Sequence, residues 1–227
     1  MAQVVNYDLN EQMVTEIGTA EWAHLIVADT KFKAEGEYKV NLKLDAESAH
    51  NLIRRLEILG DKAYSFFSEE AEKEAAAKSK KAKPLNRCPS TPWEENEDGT
   101  VTFKFKRAAS KMNDDGSVKE FSVALLDSTG HVIPQNQREL FSRMGNGSKI
   151  RVKFTAIPFN TAMLGVGVSL RLEKVQVIEF VEYVPGGGFD SDFGAVEGGF
   201  VLQGDASFQA PAAQQQAPAE SDADLVV

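Results

Sequence analysis

Beyond Lys174 the sequence has no lysine and no arginine. The stretch from Val175 to Val227 instead carries nine carboxylates: Glu179, Glu182, Asp190, Asp192, Glu197, Asp205, Glu220, Asp222 and Asp224. These account for the whole net charge of −9, because the remaining acids are matched by the 25 bases. One-signed blocks at a chain end stay solvated and serve as interaction arms. Cysteine is scarce too. Cys88 stands alone, which excludes an internal disulfide and suits a reducing compartment. No apolar run reaches the ~18 residues of a membrane helix, and no basic stretch followed by an apolar run opens the chain. A soluble cytoplasmic protein, with no membrane association, is expected.

Catalytic patterns are equally thin. His24, His50 and His131 lack metal-ligand spacing, and no Gly-x-Ser-x-Gly, phosphate-cradling Gly loop or Cys/His cluster occurs. Asp190-Ser191-Asp192-Phe193-Gly194 resembles the start of a calcium loop but lacks the later ligands and the closing glutamate. No catalytic residue, metal or cofactor is expected.

What is present divides the chain in two. From Pro185 onward come Gly186-Gly187-Gly188, Gly198-Gly199 and an Ala/Pro/Gln stretch over 210–219. That composition cannot bury enough apolar surface to offset the entropy of ordering, so residues 185–227 are expected to be a disordered acidic tail on a domain spanning 1–184. Within the domain, Tyr38, Val40, Leu42 and Leu44 alternate with Lys39, Asn41 and Lys43, the period of a half-buried strand. A helix capped by Asp45 follows, its apolar stripe formed by Leu52, Leu56, Leu59, Ala63 and Phe66. The Ala/Glu/Lys run over 69–83 extends it and stops before Pro84. Further strands are predicted over 100–106, 118–126, 149–154 and 166–184, with turns at Asn113-Asp114-Asp115-Gly116 and Asp127-Ser128-Thr129-Gly130. No βαβ rhythm appears. The class is mostly β with antiparallel pairing.

The outward faces of three strands are basic: Lys39 and Lys43; Lys104 and Lys106; Lys149, Arg151 and Lys153, with Arg171 as a possible fourth contribution. Residues 101–174 hold twelve bases against six acids. A locally cationic β surface suits a polyphosphate, since each neutralised phosphate releases counterions. Solvated lysines guarding strand edges explain any single pair as well. Aromatic side chains separate the two readings, because single-stranded nucleic acid needs stacking platforms. Phe159 and Trp22 fall in loop-like contexts open to a base. Trp93 and Phe32 are expected to cover core ends, and Phe103, Phe105 and Phe154 to lie within the core.

Several segments carry a family resemblance in order: Gly18-Thr19-Ala20-Glu21, Gly36-Glu37-Tyr38-Lys39-Val40-Asn41-Leu42, and Asp98-Gly99-Thr100-Val101-Thr102-Phe103-Lys104-Phe105-Lys106. Asp127-Ser128-Thr129-Gly130, Gly147-Ser148-Lys149-Ile150-Arg151-Val152-Lys153-Phe154 and Pro158-Phe159 continue it. The chain resembles the single-stranded DNA-binding proteins of T7-type bacteriophages. The resemblance implies an OB-fold-like antiparallel five-stranded barrel with one inserted helix. It also implies sequence-tolerant binding of single-stranded DNA in replication, recombination and repair, a homodimer in the host cytoplasm, and tail contacts with the phage DNA polymerase and helicase-primase. By position it makes Lys104, Lys106, Arg151 and Lys153 phosphate partners and Phe159 a stacking residue. The tail residues that would meet partners are Asp190, Asp192, Phe193, Glu220, Asp222 and Asp224. A virion or assembly protein with a disordered arm is the competing expectation.

Overall fold

The computed structural model describes residues 9–183. Its strands are β1 (Glu11–Val14), β2 (Gly18–Asp29), β3 (Glu37–Leu44), β4 (Trp93–Glu95), β5 (Val101–Ala108), β6 (Ser110–Met112), β7 (Val118–Glu120), β8 (Ala124–Leu126), β9 (Lys149–Thr161) and β10 (Gly165–Glu179). One long helix, α1 (Ala46–Ala77), and a 3-10 helix over Gln135–Arg143 complete the description.

Five strands close on themselves in the order β2, β3, β5, β10, β9 and back to β2. Closure leaves the ring without a free edge, and short strands dress its flanks: β1 on β9, β8 on β10 and β4 on β5. Most ring pairings are antiparallel as expected, but β10 runs parallel to β5, with Arg171 opposite Lys106, and parallel to β8. The order of strands round the ring, which alternation along one strand cannot reveal, sets that direction.

Alternation fills the interior. Val40, Leu42 and Leu44 from β3 meet Val101, Phe103 and Phe105 from β5 and Ile150, Val152 and Phe154 from β9, all buried. The Phe105 and Phe154 rings lie 5.0 Å apart. Asp45 caps α1 as expected, its carboxylate accepting from the Ser48 backbone N–H at 2.8 Å. Ala49, Leu52, Leu56 and Leu59 carry the helix onto the same core. Each buried leucine contributes about 1.5–3 kcal/mol. The last turn of the stripe uses Phe67 rather than Phe66, because Phe67 is four residues from Ala63 and stays on the inward face. The helix stops at Ala77, and Ser79 takes a positive φ of 50° just after it.

Three expected boundaries shift. Residues 118–126 form two strands, β7 pairing with β6 as a hairpin and β8 with β10. Residues 18–29, where no strand is predicted and Trp22 reads as loop-like, are the twelve-residue β2, whose bulges break its alternation. β9 continues through Pro158 and Phe159 to Thr161. Pro158 is tolerated there because that part of β9 pairs only with β10, leaving the other side open. Among the described residues, no helix is long and apolar enough to cross a membrane.

Candidate nucleic-acid interface

Residues opposite one another in a sheet share a face, so register locates the outward side chains. His24, Lys39, Lys106, Arg171 and Thr155 form one row across β2, β3, β5, β10 and β9. Glu21, Asn41 and Lys104 form the next. Beyond Lys104, β5 parts from β10, and the segment leading into β4 fills the gap: the Lys104 N–H donates to the Pro92 carbonyl at 3.0 Å. A cavity of about 390 Å³ opens at this divergence. Lys39, Asn41, Lys104, Lys106, Ser169 and Phe159 line it, together with Cys88, Ser90, Thr91 and Pro92, and with Leu164 of the β9–β10 loop. Four of the sequence-predicted residues thus converge in one groove that has both cations and an aromatic ring.

Phe159 projects outward from β9 opposite Gly167. Its ring covers the bare Gly167 backbone so closely that a Cβ there would sit 2.7 Å from it and 2.8 Å from Cys88 Cβ. The ring is therefore half-buried, seated on a glycine floor rather than exposed in a loop. Trp22 occupies a bulge. Glu21 faces Asn41 and His24 faces Lys39, so β2 spends one residue more than β3 over that interval. Trp22 takes φ 52°, a left-handed value costly for a bulky side chain, and is 67% exposed. Its N–H is held by Asn146 Oδ1 at 2.9 Å.

The remaining cations do not enter the groove. Lys43, Thr19 and Lys149 stand in one row across β3, β2 and β9. Lys43 lies four residues, about 13 Å, along β3 from Lys39, and Lys149 about 10 Å farther across two strand spacings. Lys149 Nζ donates to Thr19 Oγ1 at 2.8 Å, and Arg151 Nε donates to the Thr15 carbonyl at 3.2 Å. Lys153 lies between Val14 of β1 and Lys174 of β10. The single basic band expected from alternation is thus a groove cluster and a separate trail along β9, joined through Lys43. Strand length and barrel curvature separate them.

Carboxylates already hold several cations of this face, in the groove and beside it. Asp29 pairs with Lys39, Glu94 Oε2 lies 2.7 Å from Lys104 Nζ, and Asp98 Oδ2 lies 2.9 Å from Lys43 Nζ. The Lys39 hydrogen bond, helped by the Lys31 backbone N–H, holds Asp29 below the usual carboxylate range. Lys104 does the same for Glu94, and Lys43 with Thr100 for Asp98. In turn Asp98 raises the affinity of Lys43 for its proton. Glu173 anchors Arg171 at 2.7 Å and Arg107 at 2.5 Å. Burial pushes the Glu173 carboxyl up, but the hydrogen bonds from Arg171 and Arg107 outweigh it and leave it lowered. Lys106 is exposed and makes no ion pair among the described residues. The Lys104–Glu94 pair, exposed on both sides, is worth about 0–1 kcal/mol, weak enough for a phosphate to displace.

Sequence reasoning misplaced one aromatic and overlooked two groove-lining elements. Phe32, assigned to a core end, is 83% exposed in the β2–β3 loop with Lys31 Nζ 5.3 Å from its ring centre. Leu164 reaches the groove from a loop with no periodic signal. Residues 88–92 arrive from a Pro-rich stretch whose position depends on tertiary pairing. Trp93 packs against Phe103 as expected, centroids 6.4 Å apart. The tail positions Asp190, Asp192, Phe193, Glu220, Asp222 and Asp224 lie outside the described residues.

Comparison with known proteins is consistent with this geometry. The family model described as single-stranded DNA-binding protein, bacteriophage T7, matches residues 17–180. The single-stranded DNA-binding protein of Escherichia phage T7 is 32% identical over 183 residues, covering 78% of this chain and 75% of that protein. Its counterpart from Enterobacteria phage T3 is 33% identical over 175 residues, covering 72% and 70%. The crystal structure of gp2.5, a single-stranded DNA-binding protein encoded by bacteriophage T7, superposes with a TM-score of 0.63 at 27% identity, over 86% of this chain and all of that one. A single-stranded DNA-binding protein of bacteriophage Enc34, solved in complex with ssDNA, shares the fold at 9% identity with a TM-score of 0.51, over 76% and 88%. This chain belongs to the T7 family of single-stranded DNA-binding proteins.

Proposed function

We propose that this protein coats and protects single-stranded DNA without catalysing a reaction on it, in phage DNA replication, recombination and repair. The observation that carries the reading is the groove where Lys39, Lys104 and Lys106 meet Phe159. Lysines neutralise phosphates without reading sequence, and an aromatic face accepts any base. Trp22 and Phe32 supply further stacking surfaces at the edge of the same face. Lys43, Lys149, Arg151 and Lys153 carry the backbone onward round the ring.

The acidic segment over 185–227 regulates access in this proposal. A tethered polyanion reaches millimolar effective concentration, so even weak contacts compete with DNA for the lysines. DNA displaces it, and the released segment recruits the phage DNA polymerase and helicase-primase. The family resemblance supports a homodimer acting in the host cytoplasm.

Titration of the full chain with oligo-dT tests the core of this reading. Micromolar or tighter binding that weakens steeply with salt is expected; absent or salt-insensitive binding contradicts it. A chain ending at Val184 should bind more tightly than the full chain if the tail competes, and equally or more weakly if it does not.

A further inference from the structure

The connection between α1 and β4 is densely cationic. Residues 78–92 contain Lys78, Lys80, Lys81, Lys83 and Arg87 and no acid. Two of these are engaged: Lys78 Nζ lies 3.4 Å from Glu74, and Arg87 lies 2.8 Å from Asp61 with its guanidinium 4.4 Å from the Tyr64 ring centre. Lys80, Lys81 and Lys83 are exposed and make no ion pair among the described residues.

This segment is fixed to the groove rather than merely near it in sequence. The Tyr64 hydroxyl donates to the Leu85 carbonyl at 3.0 Å, and Leu85 packs against the cluster of Ala63, Phe67 and Val166. The Val166 N–H donates to the Asn86 carbonyl at 2.8 Å, and the Cys88 N–H to the Val166 carbonyl at 2.7 Å. Asn86 fits so tightly that a Cβ at Gly165 would stand 2.3 Å from its carbonyl oxygen, at a φ of +81° that favours glycine in any case. From Cys88 onward the same chain becomes the groove wall. Lys83 is five residues from Cys88, at most about 17 Å of chain.

Charge balance gives the segment its role. In the groove, Lys39 and Lys104 are already paired with Asp29 and Glu94, and Lys106 alone of the three has no carboxylate partner among the described residues. The helix end before the connector carries Glu69, Glu70, Glu72 and Glu74, of which Glu70 and Glu74 pair with Lys73 and Lys78, whereas Lys80, Lys81 and Lys83 pair with none of them. A polyanion leaving the groove past Leu164 runs beside this connector, whose Asn86 packs on Gly165 and Val166.

We propose that Lys80, Lys81 and Lys83 form a second phosphate-binding surface that grips the backbone of the same DNA strand as it leaves the groove. The inference rests on the single-stranded DNA reading above and adds to it a longer footprint with a greater share of the counterion release.

The test measures the salt dependence of oligo-dT affinity, with oligomers of about 30 nucleotides, for the full chain and two variants. The triple variant K80Q/K81Q/K83Q removes three phosphate partners, so its log–log salt slope should be shallower by about 2. The charge-keeping K80R/K81R/K83R should retain the native slope. Equal slopes for native and Gln variants, with native binding intact, overturn the connector alone. Loss of the slope in both Gln and Arg variants overturns it too, since charge would then not be the cause. Failure of the native chain to bind oligo-dT instead overturns the underlying reading.

Discussion

Phe159 and Gly167 face each other across β9 and β10, and the phenyl ring fills the space that a side chain on residue 167 would need. The glycine thus sets the position of the outward-facing aromatic ring in the groove. Phe159→Ala should weaken oligo-dT binding by roughly five- to a hundredfold, given about 1–3 kcal/mol for a base–aromatic stack. Gly167→Ala should lose much of the same affinity without touching the ring's chemistry, because the added methyl pushes it off its floor. Equilibrium titration checks both. Native affinity for Gly167→Ala, with an unchanged unfolding midpoint, would show that ring position does not matter.

Glu94 competes for Lys104. Glu94→Gln frees that lysine, so DNA affinity should rise a few-fold at low salt and the salt slope should steepen by about 0.7, one phosphate's worth. A filter-binding or anisotropy series across ionic strength measures this directly.

Trp22 pairs a costly backbone with an exposed side chain. Trp22→Gly should relieve strain of about 1 kcal/mol and raise the thermal midpoint by about 2–4 °C while lowering DNA affinity. Trp22→Ala keeps the strained backbone, so it should lower affinity without that stabilisation. Thermal unfolding followed by circular dichroism separates the two variants.

Glu173 gathers Arg107, Arg171 and the Thr155 hydroxyl. Its folded-state proton affinity lies below the ordinary value of 4.5, so its contribution is fully present above that pH and is lost as pH falls through the lowered folded value. Glu173→Gln should therefore cost about 1–2 kcal/mol at neutral pH, and the gap from the native protein should narrow as pH falls below the ordinary carboxylate range. Unfolding midpoints measured across that range provide the check.

Much of this was legible in the sequence, for reasons particular residues make plain. Val40, Leu42 and Leu44 alternate against lysines because one face meets the core and the other water, so their strand and its outward cations could be read directly. The Asp45 cap was equally local. β2 was not legible, because its bulge at Trp22 breaks the period that identifies a strand. Nor was the split between the groove lysines and Lys149, Arg151 and Lys153, since alternation tells which side chains point outward but not which strands adjoin. The contributions of residues 88–92 and Leu164 depend on where β5 parts from β10, a property of the closed ring.

The groove itself is tested most directly by K39Q/K104Q/K106Q, assayed for oligo-dT affinity across ionic strength beside the native chain. If these three side chains contact phosphates, affinity at low salt should fall and the log–log slope should be shallower by about 2, with the unfolding midpoint preserved. A folded triple variant that kept the native affinity and slope would contradict the assignment of this groove as the DNA-binding site.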